Sequence, residues 1–292
     1  MIDLHIHSTY SDGTYSVKEI LEKAEKLKLK YISITDHDNA KAYEELKEID
    51  VKKYFSGKII PGIEIKTFYK GRILDLLGYN IDTIKMQGWL NEFYKDKKRE
   101  DIQLKYFDHL YKACIKTNLK MTDKANFEWN PKKDWATLEI YYDIKKYEEN
   151  KEKVPEDFWE DFSNFSKKYC ADFNSDFYID KSNDYPKLED AIEKIHECNG
   201  KAIIAHVFIY KWAKDKVAFI NDLKNNYKID GFECYHSNFS ETEIDYMCKY
   251  CIENNLLMSG GSDCHGENKP GINLAVGRGN LNISEEIIKN WI

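Results

Sequence analysis

Six of the chain's eight histidines stand at or just after the C-terminal end of a short apolar run. His5 and His7 close Met1–His7, and His37 follows Tyr31–Thr35. His206 follows Ala202–Ala205, His236 follows Gly231–Tyr235, and His265 follows Met258–Gly261. One histidine so placed is commonly a hydrogen-bonding residue of the framework. Six at the same end of successive runs constrain the architecture, because in a parallel α/β fold those ends converge on the face where ligands bind.

The rest of the chain agrees with strand–helix alternation. β-type runs are read at Met1–His7, Lys30–Thr35, Lys58–Ile65, Arg72–Tyr79, Lys201–Val207, Ile229–Tyr235, Leu256–Gly261 and Ile272–Val276. Val17, Ile20, Leu21, Ala24 and Leu27 form a helical stripe opened by a Ser16-x-x-Glu19 capping box, and Ser240-x-x-Glu243 opens a second helix. This pattern predicts a parallel α/β sheet or barrel. It breaks between Asp82 and Tyr185, where Trp89–Lys120, Leu138–Asn150 and Pro155–Cys170 read as helices. Residues 82–185 are therefore read as a helical insertion folded over one face of a core made of residues 1–81 and 186–292. The competing reading gives these helices to the core itself.

Composition removes several classes. The chain is 42% hydrophobic and 33% charged, an ordinary globular balance. No apolar run approaches the roughly 20 residues of a membrane helix. Asp3 and His5 leave no room for a signal peptide at the start, and seven scattered cysteines read as reduced thiols, so a cytoplasmic protein is expected. A net charge of −7 argues against binding nucleic acid over the whole surface, though a local basic pocket for a phosphate is compatible with it.

Carboxylates accompany the histidines. His5 and His7 project from the same side of a strand, and Asp3 on that side is a candidate to orient one of them. Asp12 lies in a Ser-Asp-Gly turn, Asp36 and Asp38 flank His37, Glu64 follows Pro61-Gly62-Ile63, and Asp263 and His265 form a second period-2 pair beside Gly260 and Gly261. Asp75 stands inside the apolar run Arg72–Tyr79, where an unpaired buried carboxylate costs several kcal/mol. It must meet either a lysine or arginine or a metal ion. Mixed imidazole and carboxylate donors suit Mn²⁺, Fe²⁺ or Zn²⁺, with Mg²⁺ admissible, and there are too many for one tetrahedral ion. Two or three ions sharing a bridging carboxylate is the natural count, an arrangement that activates water and clamps phosphoryl oxygens. Lys269 and Arg278, in Gly277-Arg-Gly-Asn280, are candidate phosphate contacts, as is Lys211. Cys248-x-x-Cys251 lacks a second cysteine pair and reads as packing, as do Cys264, His109 and His196.

The order Asp3-Leu-His-Ile-His7, Thr35-Asp-His-Asp38, Gly62-Ile-Glu64, Ala205-His206 and Gly260-Gly-Ser-Asp-Cys-His-Gly266 resembles the PHP (polymerase and histidinol phosphatase) superfamily. Within it the chain resembles stand-alone phosphoesterases with a helical insertion. The resemblance implies a distorted (β/α)7 barrel with three metals at the C-terminal face of the strands. His5, His7, Glu64 and Asp263 would hold one metal. Glu64, Asp75 and His206 would hold a second, and Asp12, His37 and His265 a third. It also implies that His236 lies near the substrate phosphate, with His236, Asp263 and His206 in catalytic roles.

Three departures stand out. Asp75 replaces a family histidine, Val207 replaces the proline of Ala-His-Pro, and Asn130-Pro-Lys-Lys-Asp-Trp135 carries lysines where the family is arginine-rich. The expected activity is hydrolysis of a small phosphomonoester, a nucleoside 3′,5′-bisphosphate or the 5′ end of a short oligonucleotide, with Trp129, Trp135, Tyr210 and Trp212 as candidate stacking surfaces. No membrane and no obligate protein partner is expected. Histidinol-phosphate hydrolysis is the alternative within the class. A degenerate binding or regulatory module is the alternative outside it, disfavoured because all nine ligand positions hold residues able to bind metal.

Overall fold

The computed structural model describes residues 1–292, and its first strand, β1 (Ile2–Ile6), is buried along its whole length. Burial on both faces is what parallel pairing demands, and β1 pairs in parallel with β2 (Tyr31–Ile34) across helix α1 (Val17–Lys26). Ser16 and Glu19 form the expected capping box at the start of α1. Helix α2 (Ala42–Glu48) leads to β3 (Lys58–Ile59), which completes a three-stranded parallel sheet in the order β1-β2-β3.

The run expected over Lys58–Ile65 divides at Pro61, which has no N–H to offer a ladder, and β4 (Gly62–Tyr69) begins beyond it. A two-residue turn at Lys70 and Gly71, with φ of 44° and 82°, returns the chain as β5 (Arg72–Tyr79). Such a turn joins antiparallel strands, and two residues leave no room for a crossover helix. Hence β5 runs antiparallel to β6 (Lys201–Ile204), against the all-parallel expectation. From β6 onward β7 (Gly231–His236) and β8 (Leu257–Gly261) are parallel, giving a five-stranded sheet β4-β5-β6-β7-β8. Single parallel bridges, Ile6 to Cys264 and His37 to Glu64, connect residues associated with the two sheets.

The run expected at Ile272–Val276 forms no strand. Its chain turns through Ala275 at φ 66° and Gly277 at φ 59°, and the Ala275 N–H is spent on Asp3 Oδ2 at 2.7 Å, which leaves only one bridge, Asn273 to Gly277.

The helices after β5 are α3 (Thr83–Tyr94), α4 (Arg99–Lys116), α5 (Ala136–Lys145), α6 (Glu156–Glu160), the one-turn α7 (Phe162–Asn164), α8 (Leu188–Glu197), α9 (Lys216–Asn226) and α10 (Glu241–Glu253). No helix is long and apolar enough to cross a membrane. The chain divides into two compact units. One comprises Met1–Thr67, Leu74–Glu92 and Pro186–Ile292, and the other Phe68–Ile73 and Phe93–Tyr185. The first unit buries Ile2, Leu4, Leu77, Tyr79, Ile203, Ile283 and Trp291 together, and at about 1.5–3 kcal/mol per fully buried large apolar side chain this cluster holds β1, β5 and β6 to the C-terminal segment. The second unit has its own core, including Phe107, Leu110, Ile140, Phe158 and Phe165.

Candidate metal centre

Glu64 is 1% exposed, and its carboxylate lies among four imidazoles. Oε2 is 3.3 Å from His5 Nε2, 3.2 Å from His7 Nε2 and 3.2 Å from His37 Nδ1, while Oε1 is 2.9 Å from His206 Nε2. The backbone explains the convergence. The His37–Glu64 bridge holds β4 beside the loop after β2, and Asp38 N donates to Glu64 O at 2.8 Å. Asp263 is the second hub. Its Oδ1 is 3.5 Å from His5 Nε2 and 3.3 Å from His7 Nε2, and its Oδ2 is 3.2 Å from His236 Nε2 and 2.6 Å from Lys269 Nζ. The chain reaches it because β8 lies against β1: a Cβ on Gly261 would stand 2.3 Å from His5 N, so only glycine permits that approach. Asp263 itself has φ 56° and His206 φ 28°, strained values for side chains of their size that sit at the centre of the site.

Asp12 closes the outer side, 3.1 Å from His265 Nε2, 3.5 Å from His7 Nδ1 and 3.8 Å from His37 Nε2, with its side chain 55% exposed. Its loop is stiffened by Asp36, which accepts from Ser8 N at 2.8 Å, Ser8 Oγ at 2.6 Å and Ser11 Oγ at 2.6 Å. On the inner side Asp75 Oδ2 accepts from the Tyr210 hydroxyl at 3.2 Å and lies 4.0 Å from His206 Nε2. The same hydroxyl accepts the Asp75 N–H at 2.8 Å, so Tyr210 fixes Asp75 at both ends.

Three sets of donors come close enough to share an ion: His7, Asp12, His37 and His265; His5, His7 and Glu64; and His37, Glu64 and Asp75. The nine expected ligands thus occur in one contiguous region of the first unit. Several of their buried ligand atoms have no hydrogen-bond partner: His5 Nε2, His7 Nε2, His37 Nδ1, His206 Nδ1 and Asp75 Oδ1. Burying such atoms unsatisfied costs about 1–3 kcal/mol each, which a coordinated cation would relieve. Charge points the same way. Burial opposes protonation of His5, yet Glu233, Glu64 and Asp263 hold its pKa well above the ordinary value; against the same burial, Asp263 and Glu64 raise His7, and Glu64 with Asp75 raises His206. Protons here balance carboxylates that divalent ions would balance in their place. His37 is the exception: burial, with His7 and Lys66 nearby, presses it down to about 3 despite Glu64, leaving a neutral imidazole with a free lone pair. Burial and the like charge of Glu64 raise Asp75, a repulsion that a cation between them removes. The residues fit a cluster of divalent metal ions.

Glu233 is a site residue that reading the sequence missed. It is fully buried, accepts from His5 Nδ1 at 2.8 Å and takes the His206 N–H at 2.8 Å, so it sets the ring orientation of one ligand and the backbone of another. The signal was present: an acid inside the apolar run Gly231–Tyr235, the same anomaly that singled out Asp75. Asp3, expected to orient an imidazole, instead spends its oxygens on Ser262 N (2.9 Å), Ser262 Oγ (2.6 Å) and Ala275 N (2.7 Å), besides the His5 N–H at 3.2 Å. It pins backbone, because β8 and the 275 turn both end on it.

Of the expected phosphate contacts, Lys269 and His236 meet at Asp263. Arg278 Nε donates to Asn238 Oδ1 at 3.0 Å, two residues past His236, and Lys211 is exposed beside Tyr210. Trp129 stacks on Phe107 at 4.7 Å inside the second unit's core, and Trp135 is exposed beneath the Arg99 guanidinium at 4.0 Å. Tyr210 is buried and committed to Asp75, with Trp212 5.4 Å from its ring. His196 pairs with Asp230 at 2.7 Å on the surface, a framework contact, and Cys264 is buried.

The sequence profile of the PHP domain matches residues 3–205. The 5′-3′ exoribonuclease of Haemophilus influenzae is 29% identical over 99% of this chain and 97% of its own length. The phosphoribosyl 1,2-cyclic phosphate 1,2-diphosphodiesterase of Eggerthella lenta is 22% identical over 91% of this chain and 94% of its own. Among solved structures, one assigned as a metal-dependent phosphoesterase from Bifidobacterium adolescentis superposes with a TM-score of 0.60 at 19% identity, covering 99% of this chain and 94% of that one, which establishes likeness of fold.

Proposed function

The chain belongs to the PHP family and is a metal-dependent phosphoesterase, and from that premise we propose that it acts on nucleotide phosphate esters, foremost the 5′ end of short oligoribonucleotides. The observation that carries the reading is Glu64, one carboxylate within 3.3 Å of four imidazoles, at a centre where five buried ligand atoms lack a hydrogen-bond partner. Two or three divalent ions, Mn²⁺, Fe²⁺ or Zn²⁺, would be held by His5, His7, Asp12, His37, Glu64, Asp75, His206, Asp263 and His265. When bound, they lower the pKa of water and neutralise charge on phosphoryl oxygens. The nucleotide preference is supported by the name of the Haemophilus influenzae relative, to which this chain is similar along nearly its whole length.

The chain's own residues divide the remaining work. Lys269 Nζ and His236 Nε2, both on Asp263 Oδ2, are donors able to turn to a phosphate. Asp12, its side chain more than half exposed, is the ligand residue most open to solvent. Glu233, Asp36 and Tyr210 are positioning residues: they hold His5, the Asp12 loop and Asp75 so that the ligand set is formed before substrate arrives.

The deciding experiment gives the Mn²⁺-loaded protein a nucleoside 3′,5′-bisphosphate, a 5′-phosphorylated short oligoribonucleotide and histidinol phosphate, and identifies the products. Released mononucleotides mark cleavage of phosphodiesters, and released inorganic phosphate marks a monoesterase. Turnover of histidinol phosphate alone overturns the nucleotide reading, and turnover of nothing assigns the chain to a binding or regulatory role.

Two further results are expected. Elemental analysis of protein purified without chelator gives two to three equivalents of divalent metal, and a reproducible value below one after reconstitution would end the cluster proposal. Asp12→Ala and His37→Ala each lower kcat by about two to four orders of magnitude with little change in thermal unfolding, since both sit on strand-end loops. Wild-type turnover by either variant removes that residue from the centre.

A further inference from the structure

Three of the seven cysteines meet where α10 packs on β7. Cys234, on β7, has its sulfur 3.6 Å from Cys251 Sγ on α10. Cys248 stands one turn earlier on the same helix face, within hydrogen-bonding reach of Cys234 and of the Tyr235 hydroxyl. Burial separates their roles. Cys234 and Cys251 are fully buried, as are the remaining four cysteines of the chain to within a few per cent, whereas Cys248 alone reaches solvent. One accessible sulfur beside a buried partner is the arrangement of a reactive thiol with a resolving thiol.

We propose that Cys248 and Cys234 form a reversible oxidation site that closes to a disulfide between α10 and β7 in the presence of a hydroperoxide. The Cys248 thiolate attacks the peroxide oxygen, the O–O bond breaks, and the alcohol or water leaves, giving the sulfenic acid. Cys234 sulfur then attacks Cys248 sulfur. The S–O bond breaks and the oxygen leaves as water, taking the proton of the Cys234 thiol. Two thiols lose two electrons and two protons, the hydroperoxide gains them, and a thiol reductant reverses the change.

The electrostatics of the cluster assist the first step. Hydrogen bonding from Cys234, joined by the Tyr235 hydroxyl, brings the Cys248 thiol down to about 7, against its burial and the nearby Asp245 carboxylate. A thiol of that pKa is about half thiolate at neutral pH, and the thiolate is the form that reacts with peroxides. Cys234 in turn is pushed well above the usual thiol range, first by burial and then by its bonds to Cys248 and Cys251, so it waits as the protonated partner. A three-thiolate metal site is the weaker use of these groups, since the three sulfurs form no donor set close enough to share an ion, whereas the residues of the centre described above form three such sets. The site matters for the fold because β7 also carries Glu233 and His236.

The test treats the whole Mn²⁺-loaded chain with hydrogen peroxide and maps its peptides without reduction. The expected result is a Cys234–Cys248 cross-linked peptide, loss of two hydrogens in the intact mass, and reversal by dithiothreitol. Iodoacetamide under native conditions should modify Cys248 at least about tenfold faster than the other six thiols. C251S retains the cross-link, C248S loses it, and C234S stops at a sulfenic acid on Cys248 that dimedone traps. If C234S does not fold, the peptide map of the unsubstituted chain still decides. An unmodified Cys248 while other thiols oxidise, or a Cys234–Cys251 link that forms equally well in C248S, overturns the proposal.

Discussion

Glu64→Gln is expected to lower kcat for any phosphate ester the protein hydrolyses by about two to four orders of magnitude, and to cost at least one equivalent of bound metal. The change removes one charge and almost no volume, so the loss isolates electrostatics. Glu64 faces His5, His7, His37 and His206 at 2.9 to 3.3 Å, and only Asp263, at 3.2 to 3.5 Å from His5, His7, His236 and His265, meets as many imidazoles. Its pKa lies well below the ordinary value, with burial opposing the charge and His37 and His5 leading the groups that favour it. Removing one partner from a buried ionic cluster costs about 3–5 kcal/mol, so the metal-free variant should also unfold at a lower temperature than metal-free wild type. Steady-state kinetics, elemental analysis and thermal unfolding of the two proteins side by side check all three parts. A Gln variant with full metal and wild-type turnover would take Glu64 out of the centre.

Asp75→His and Asp75→Asn are expected to part company. Histidine supplies the imidazole donor that the family resemblance implies at this position, and should keep activity while shifting preference toward Zn²⁺ or Fe²⁺. Asparagine keeps the bond to Tyr210 but loses the charge, and should weaken one ion by roughly 1–3 kcal/mol, about 5- to 150-fold in affinity. The structural ground is the unpartnered Asp75 Oδ1, together with the repulsion between Asp75 and Glu64 that raises the Asp75 pKa. If Asp75 is instead a structural anion serving Lys66 and Tyr210, the order reverses. Metal content and activity of both variants decide, and an active, fully metallated Asn variant beside a dead His variant retires the ligand assignment.

The parts of the site that could be read along the chain are those with a local signature. His5 and His7 share a strand face by period 2, and Asp263 and His265 repeat the device beside glycines, one of which the β1–β8 approach requires. Asp75 was conspicuous as an acid in an apolar run. Glu233 carries the same signature, but its role rests on its bonds to His5 Nδ1 and the His206 N–H, partners 228 and 27 residues away that no local pattern links to it. Asp36 looked like one more candidate beside His37, yet its oxygens are occupied by Ser8 and Ser11, a division of labour between neighbours that composition does not encode.

Residue type and spacing by themselves determined which groups can bind metal, that successive strand ends carry them, and where the helices begin at Ser16 and Ser240, because hydrogen-bonding capacity, side-chain period and capping act over a few residues. Tertiary structure decided the rest. The Lys70-Gly71 turn reverses β5, Asp3 draws in the 275 turn where a strand was expected, and Glu64 is brought to four histidines whose positions in the chain run from 5 to 206. Those outcomes depend on which distant groups finally occupy each buried donor and acceptor, and a buried polar atom takes the partner that three-dimensional packing delivers to it.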